Sequence, residues 1–293
     1  MSPLALILIL TSTFMHAGWN LLIRHGRREA AFVSRVLLLV AAAGLIPAAV
    51  SELAARSLPP TAWACVAGAG LCCGVYYYAL VRAYGHSDFT VVYPVARALP
   101  LLIVALADVL RGRYPTQAGW LGMGLVVGGC LLTPLHSFRG FALRRYLNRA
   151  SIWIALTALG TVGYTLLDKF AAEVVSPGPA TAARYGYVFF LFSFMCYSLL
   201  RRLRPIRQEA GGSPGWRLPV LAAGLNFGAY WLVLWAYQLA RHASYIVAFR
   251  QFSIVIAVVL AFAIFKERGL VVRLTGTFLL LAGLMLIALW GGQ

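Results

Sequence analysis

Acidic side chains and lysine are scarce in this chain of 293 residues. It has 8 acidic residues, and its only lysines are Lys169 and Lys266, so arginine supplies nearly all of the positive charge. Charged residues make up 11% of the sequence and hydrophobic residues 61%, against about 25% and about 45–50% in soluble domains. The polar side chains are too few to cover a globule surrounded by water. The composition therefore predicts a multi-pass membrane protein.

Other absences narrow the classes of function. The 5 cysteines lie in apolar runs without Cys-x-x-Cys spacing, which argues against a metal site or a disulfide framework. The chain has no His-Glu-x-x-His or Walker A sequence, which argues against a zinc hydrolase of that type and against direct use of ATP. Its one Gly-x-Ser-x-Gly match, Gly211–Gly215, lies in a connection between apolar segments and does not follow a strand, so we expect no nucleophile elbow. The net charge of +17 is scattered over short loops, which is typical of membrane orientation and lipid contact rather than nucleic-acid binding. We expect no cofactor.

Long apolar runs dominate what is present. A helix needs about 20 residues, with a range of about 17–25, to cross a bilayer. The connections between the runs are short, so we expect no soluble domain, and the first run reads as a retained helix rather than a signal peptide. The ten segments of sufficient length are Leu4–Ile23, Ala30–Val50, Ala62–Arg82, Phe89–Ala107, Thr116–Leu135, Ser151–Ala171, Thr181–Leu200, Leu218–Leu239, Ala243–Phe265 and Leu274–Trp290.

The second half of the sequence repeats the first. Residues 18–24 align with residues 163–169, and Arg35 in the second segment matches Arg184 in the seventh. Further matches at one constant offset pair Ala79, Ala83, Ser87, Arg111 and Gly119 with Ala236, Ala240, Ser244, Arg268 and Gly276. Each half therefore contains five segments in the same order.

This repeat predicts the fold class. An odd number of crossings in the first copy makes the second copy enter from the opposite side of the membrane. We predict an all-α integral membrane protein of ten transmembrane helices in two inverted five-helix repeats, residues 1–138 and 149–293, forming one membrane domain. Inverted repeats are typical of transporters in which two halves move about a central site.

The chain resembles the EamA-type members of the drug/metabolite transporter superfamily over nearly its whole length. The resemblance rests on His16–Asn20, Arg24, Arg35, Ala79-x3-Ala83-x3-Ser87, Phe265–Arg268, Gly276 and Gly283, together with the ten-segment architecture. It implies a carrier for amino acids or other small metabolites in the bacterial inner membrane, with both termini in the cytoplasm. The basic loops instead favour termini on the outside, so the orientation stays open. The acidic residue that small multidrug members carry in their first helix is absent here.

Two arginines are the leading candidates for substrate binding. Arg97 lies near the middle of an apolar segment and shares a helix face with Tyr93, beside Pro94. Arg250 lies about two turns into the repeat partner of that segment and aligns with Tyr93. A charge at membrane depth is costly, and a guanidinium matches a carboxylate or a phosphoryl group. The alternatives are an internal ion pair, a bond to backbone carbonyls, or snorkelling of the side chain to the surface.

Other polar and aromatic side chains complete the candidate site. His16, Trp19 and Asn20 share one face of the first helix, and the further candidates for substrate contact are Tyr77, Asn226 and Trp231. His16 is a candidate for proton coupling because its reference pKa is near neutral. Asp168 is the second such candidate, although it can instead pair with Lys169 or Arg35. The aromatic residues can equally form an interfacial belt.

The repeated arginines Arg35 and Arg184 point to architecture instead, because both halves carry them at equivalent places near a helix start. The leading interpretation of the whole chain is a secondary or facilitative transporter of a small polar metabolite, coupled to protons or to exchange. A flippase for a lipid-linked anion is a close variant, and a membrane-embedded enzyme is the less favoured alternative. The expected partners are the solute and membrane lipids, with no nucleic acid, and the chain is a monomer or a homodimer.

Overall fold

A computed structural model describes residues 2–25, 29–84, 89–133, 135, 151–206, 215–265 and 270–291. Every regular element in these ranges is a helix. Helix is the expected solution in a bilayer, because each backbone N–H and C=O finds its partner within the same segment. The helices are α1 Pro3–His25, α2 Glu29–Ala55, α3 Pro60–Tyr84, α4 Phe89–Leu110, α5 Gln117–Leu132, α6 Ser151–Val174, α7 Pro179–Leu203, α8 Arg217–Leu239, α9 Ala243–Arg250, α10 Phe252–Phe265 and α11 Leu270–Trp290.

Seven of the helices in the described ranges are long and apolar enough to cross a membrane, namely α1, α2, α3, α6, α7, α8 and α11. Shorter apolar stretches cover Ala98–Leu110, Gln117–Leu132 and Ala243–Ile256. Large apolar side chains such as Ile46 and Leu53 point outward, as lipid-facing side chains do.

The ninth predicted segment is wrong in one respect, because it is not a continuous helix. It consists of α9 and α10, separated by Gln251, whose N–H donates to the carbonyls of Ala248 and Phe249. The N–H of Ile254 then donates to the Gln251 carbonyl at 2.8 Å. These tighter bonds replace the regular helical pattern for one turn.

Helices from the two ends of the chain interleave. The most extensively packed helix pairs are α3 with α6, α1 with α8, α3 with α7, and α5 with α11, and α2 also packs on α7. Between α5 and α11, a Cβ added to Gly283 would lie 2.4 Å from the carbonyl oxygen of Gly122, and one added to Gly129 would lie 2.6 Å from that of Gly276. Only glycine allows the two backbones to approach this closely.

Arg35 and Arg184 each hold a connection in the opposite half of the chain. Arg184 on α7 forms an ion pair with Glu52 at 3.2 Å and donates to Ser57 Oγ at 2.8 Å. Arg35 on α2 donates to the Gly215 carbonyl at 3.2 Å, and its guanidinium carbon lies 4.6 Å from the ring centroid of Trp216. Both contacts are of the architectural kind expected from the sequence.

Candidate functional site

A narrow cavity of about 30 Å³ lies inside the bundle, among the central turns of α1, α3, α6, α7 and α8 and the end of α9. It has room for about two water molecules. Half of the residues around it are aromatic, and no acidic side chain lines it within the described part of the chain. Its lining residues are Ser12, His16, Trp19, Cys73, Tyr76, Tyr77, Tyr164, Phe189, Phe190, Asn226, Ala229, Tyr230, Val233 and Arg250.

Arg250 brings the positive charge to this cavity. It is the last residue of α9, and its guanidinium carbon lies 5.7 Å from the ring centroid of Tyr230. The phenols of Tyr164 and Tyr237 are also within electrostatic reach of the guanidinium. The side chain is only partly buried, because it faces the cavity. The ion pairs of the described residues involve other arginines and Lys169, and none involves Arg250.

Asp168 lies behind the cavity wall rather than in it. It is 1% exposed, and one carboxylate oxygen accepts a hydrogen bond from the Tyr185 hydroxyl at 2.8 Å. The other oxygen accepts from the Tyr230 hydroxyl. Tyr230 therefore joins the two charged groups, since its ring faces the cavity near Arg250 and its hydroxyl holds Asp168.

The alternative in which Asp168 pairs with Lys169 or Arg35 is wrong, and Arg35 instead contacts the Gly215 carbonyl and the Trp216 ring. Consecutive helical residues point about 100° apart, and Lys169 points away from Asp168 to the end of α8. The Lys169 ammonium donates to the carbonyls of Tyr237 at 3.0 Å and Ala240 at 2.5 Å. It thereby satisfies carbonyls that have no partner within their own helix.

An ionic cluster closes this end of the bundle, and we define it as Glu173, Lys169, Arg111 and Arg113. Glu173 accepts from Arg111 at 2.7 Å, accepts from Arg113, and pairs with Lys169 at 3.2 Å. The cluster joins the end of α6 to the segment that follows α4.

Asp108 adds a second tie between α4 and α9 near the ionic cluster. Its carboxylate accepts from the Ser244 N–H at 2.9 Å, from the Ser244 hydroxyl at 2.7 Å, and from the Ala243 N–H at 3.3 Å. A carboxylate at this position satisfies the free N–H groups of a helix start and complements the helix dipole. The same end of the bundle is therefore held by charges from both halves of the chain.

The candidates on the first helix divide between the cavity and its surroundings. His16 and Trp19 line the cavity, and the Trp19 indole donates to His16 Nδ1 at 3.0 Å. Asn20 is exposed and donates to the carbonyl of His16 at 2.7 Å, within its own helix. It is not among the cavity-lining residues.

The remaining candidates divide in the same way. Tyr77 and Asn226 line the cavity and are joined by a hydrogen bond from the Asn226 amide at 3.1 Å. Trp231 does not line it, because its indole donates to the Pro179 carbonyl at 2.8 Å and its ring stacks on Trp235. The side chains of Tyr93 and Arg97 lie outside the described residues, although α4 carries both positions.

Sequence reasoning missed several residues of the cavity wall. Tyr164 is the clearest case, because the offset that aligns residues 18–24 with 163–169 also aligns it with Trp19, a residue already singled out. Phe189 and Phe190 gave no signal of their own, since they lie in a helix with many aromatic residues.

Comparison with known proteins assigns the family. The model of the EamA-like transporter family matches residues 3–134 and again residues 148–289. A solved structure described only as the crystal structure of a protein is 17% identical, covers 99% of both chains and superposes with a TM-score of 0.71, which shows a shared fold. No curated protein matches the chain by sequence. Because the family model matches most of the sequence, the chain belongs to the EamA-like transporter family and is a multi-pass membrane transporter of the drug/metabolite type.

Proposed function

We propose that this transporter binds a small solute bearing a carboxylate or phosphoryl group at Arg250 and carries it across the membrane by alternating access. One observation carries the proposal, namely a guanidinium that faces an internal cavity and has no carboxylate partner among the described residues. Placing a charged side chain at membrane depth costs at least about 2.5–3.5 kcal/mol. A bound anion would contact the guanidinium and offset this cost directly, whereas in the empty cavity Asp168 acts on Arg250 only from behind Tyr230.

The wall around Arg250 suits a polar solute with an apolar body. The guanidinium presents a planar fork of donors to an oxyanion, while Asn226 and His16 add polar groups and the aromatic rings add apolar surface. Binding pockets commonly combine an apolar wall with a few placed polar groups in this way.

Three features support alternating access. The cavity of about 30 Å³ is far smaller than the roughly 300–1,000 Å³ of typical ligand pockets, so a solute requires the helices to move apart. The family model also matches the chain twice, which supports the division into two five-helix repeats, 1–138 and 149–293, in inverted topology. The break at Gln251 beside Arg250 fits the interrupted helices that transporters use at their binding sites.

Asp168 is the proton carrier in this proposal, and His16 is the alternative. Both lie inside the bundle, but the His16 ring lines the cavity directly and Asp168 communicates with it through Tyr230. The family makes the protein a membrane transporter, and a location in a bacterial inner membrane, where a proton gradient is available, is part of this proposal.

Binding measurements on the purified protein test the proposal. Thermal stabilisation is measured with pyruvate, lactate, succinate, phosphate, alanine and tetramethylammonium, for the wild type, Arg250→Gln and Arg217→Gln. Arg217 is the matched control because its side chain is exposed at the start of α8. We expect at least one anion to stabilise the wild type and the control but not Arg250→Gln. Stabilisation by the cation alone, or an anion effect that survives in Arg250→Gln, contradicts the proposal.

A further inference from the structure

We infer that the transported species is a monoanion that moves together with one proton, so that each transport step is electrically neutral, with Asp168 taking up the proton and Arg250 binding the anion. This inference rests on the proposed function, and it adds the charge of the solute, the stoichiometry and the direction of coupling. The solute class that fits is a monocarboxylate.

The charge balance of the closed site limits which states can cross the membrane. Arg250 is permanently protonated, whereas Asp168 can be ionised or neutral. A net charge is expensive in a medium of low dielectric constant. For these two described groups, two combinations are neutral: an ionised Asp168 with no anion, and a protonated Asp168 with one anion at Arg250. The transporter then crosses readily either empty or loaded with anion and proton, which is symport.

The hydrogen bonds of Asp168 suit both protonation states of its carboxyl group. Its partners are the hydroxyls of Tyr185 and Tyr230, and a phenol can donate or accept a hydrogen bond. When the carboxylate takes up a proton from water, its new O–H donates to the oxygen of one phenol. The hydroxyl hydrogen of that phenol then rotates away from the carboxylate. A lysine or arginine partner, which only donates, would not allow this reversal.

The other titratable groups around Asp168 leave Arg250 as its charged neighbour among the described residues. Lys169 on its own helix points away to the α8 carbonyls. The helix α4 also packs on α6, and there Asp108 is engaged at the start of α9. The remaining titratable neighbours are neutral phenols and thiols, namely Tyr185, Tyr230, Tyr237, Cys65, Cys72 and Cys73.

The charges of the site favour a monoanion over zwitterions and dianions. Asp168 is 1% exposed, and both of its oxygens are occupied by phenols, so the ammonium group of an amino acid does not reach it. Within the described lining, Arg250 is the one permanent cation, so a dianion, such as the form of phosphate that predominates at pH 8, leaves the site with excess negative charge. A monocarboxylate matches the single guanidinium.

Proton uptake on binding provides the test. The full-length protein in detergent and weak buffer is titrated at pH 6 to 8 with pyruvate, lactate and benzoate, and with phosphate and alanine for comparison, while an indicator dye reports protons. We expect about one proton taken up per monocarboxylate bound, and an affinity that falls up to about tenfold per pH unit once Asp168 is ionised in the free protein. In Asp168→Asn, which imitates the protonated acid, uptake is lost and the affinity becomes independent of pH.

The variants keep this inference separate from the proposed function. Binding that Arg250→Gln abolishes but that takes up no proton overturns the symport inference alone. Tighter binding of phosphate or alanine than of any monocarboxylate at pH 8, where phosphate is mainly a dianion, also overturns it alone. Uptake that His16→Gln removes and Asp168→Asn preserves also overturns it. If Asp168→Asn does not fold, the proton uptake per bound monocarboxylate decides, because the inference requires a ratio of about one in the wild type and in any binding that His16→Gln retains. Absence of anion binding, or binding that Arg250→Gln leaves unchanged, overturns the proposed function itself.

Discussion

Glu173→Gln removes the acidic centre of the ionic cluster, and we expect it to loosen the end of the bundle where α4 and α6 meet. Glu173 pairs with Arg111 at 2.7 Å and with Lys169 at 3.2 Å, and it also pairs with Arg113. The substitution keeps the size of the side chain but leaves three cations without their counter-charge. The three cations should therefore repel one another, and α4 and α6 should be held together less tightly at this end.

The exposure of these side chains sets the expected size of the effect. Those of Arg111, Glu173 and Arg113 are 29%, 25% and 22% exposed, and that of Lys169 is 4% exposed. Exposed pairs are worth about 0.2–1 kcal/mol, whereas removing one partner of a buried pair costs about 3–5 kcal/mol. An intermediate loss of about 1–3 kcal/mol follows from these limits. It corresponds to a fall of roughly 2–6 °C in melting temperature on the scale of large soluble domains.

Thermal unfolding in detergent, followed by tryptophan fluorescence, measures this change. A double-mutant cycle of Glu173→Gln, Arg113→Gln and the double variant isolates the interaction between Glu173 and Arg113. We expect an interaction free energy of at least about 0.5 kcal/mol. Arg217→Gln serves as the exposed control. An unchanged melting temperature, or two single losses that simply add, would refute the reasoning.

Two further predictions concern the close packing of α5 and α11 and the segment between α8 and α9. Gly283→Val should lower the melting temperature by several degrees, because even a Cβ at this position would lie 2.4 Å from the Gly122 carbonyl oxygen. Gly124→Ala should be nearly neutral, since nothing lies within 4 Å of a Cβ added there. Equal effects of the two substitutions would contradict the close contact at Gly283. Burial lowers the pKa of His242 below its ordinary value of 6.5, so the unfolded chain gains a proton before the folded chain as the pH falls. Stability should therefore fall below about pH 6.5, and His242→Gln should weaken that dependence; identical pH profiles for the two proteins would exclude this role for His242.

Much of the fold follows from hydropathy and repetition, but the break beside Arg250 does not. Length and apolar character identify the segments because a bilayer imposes helices of a minimum length. No proline or glycine marks Gln251, and its place in the repeat corresponds to Pro94 in the first half, which is the one sequence signal for a local irregularity. Without that repeat, the apolar residues on both sides of Gln251 predict one continuous helix.

The site was predictable in part for a similar reason. An arginine in an apolar segment is conspicuous, and Arg250, His16, Trp19, Tyr77 and Asn226 do surround one cavity. The partners of Asp168 were not predictable, because Tyr185 and Tyr230 come from two other helices and tyrosine is common throughout this sequence.

Exchange of labelled solute in proteoliposomes tests the central claim most directly. Vesicles loaded with unlabelled pyruvate, lactate or benzoate receive the same compound in labelled form, and uptake is compared for the wild type, Arg250→Gln and Arg217→Gln. We predict that the wild type and Arg217→Gln accumulate label of at least one monocarboxylate, and that Arg250→Gln stays at the level of empty vesicles. Exchange by Arg250→Gln at the rate of the wild type would contradict a transport site built on Arg250.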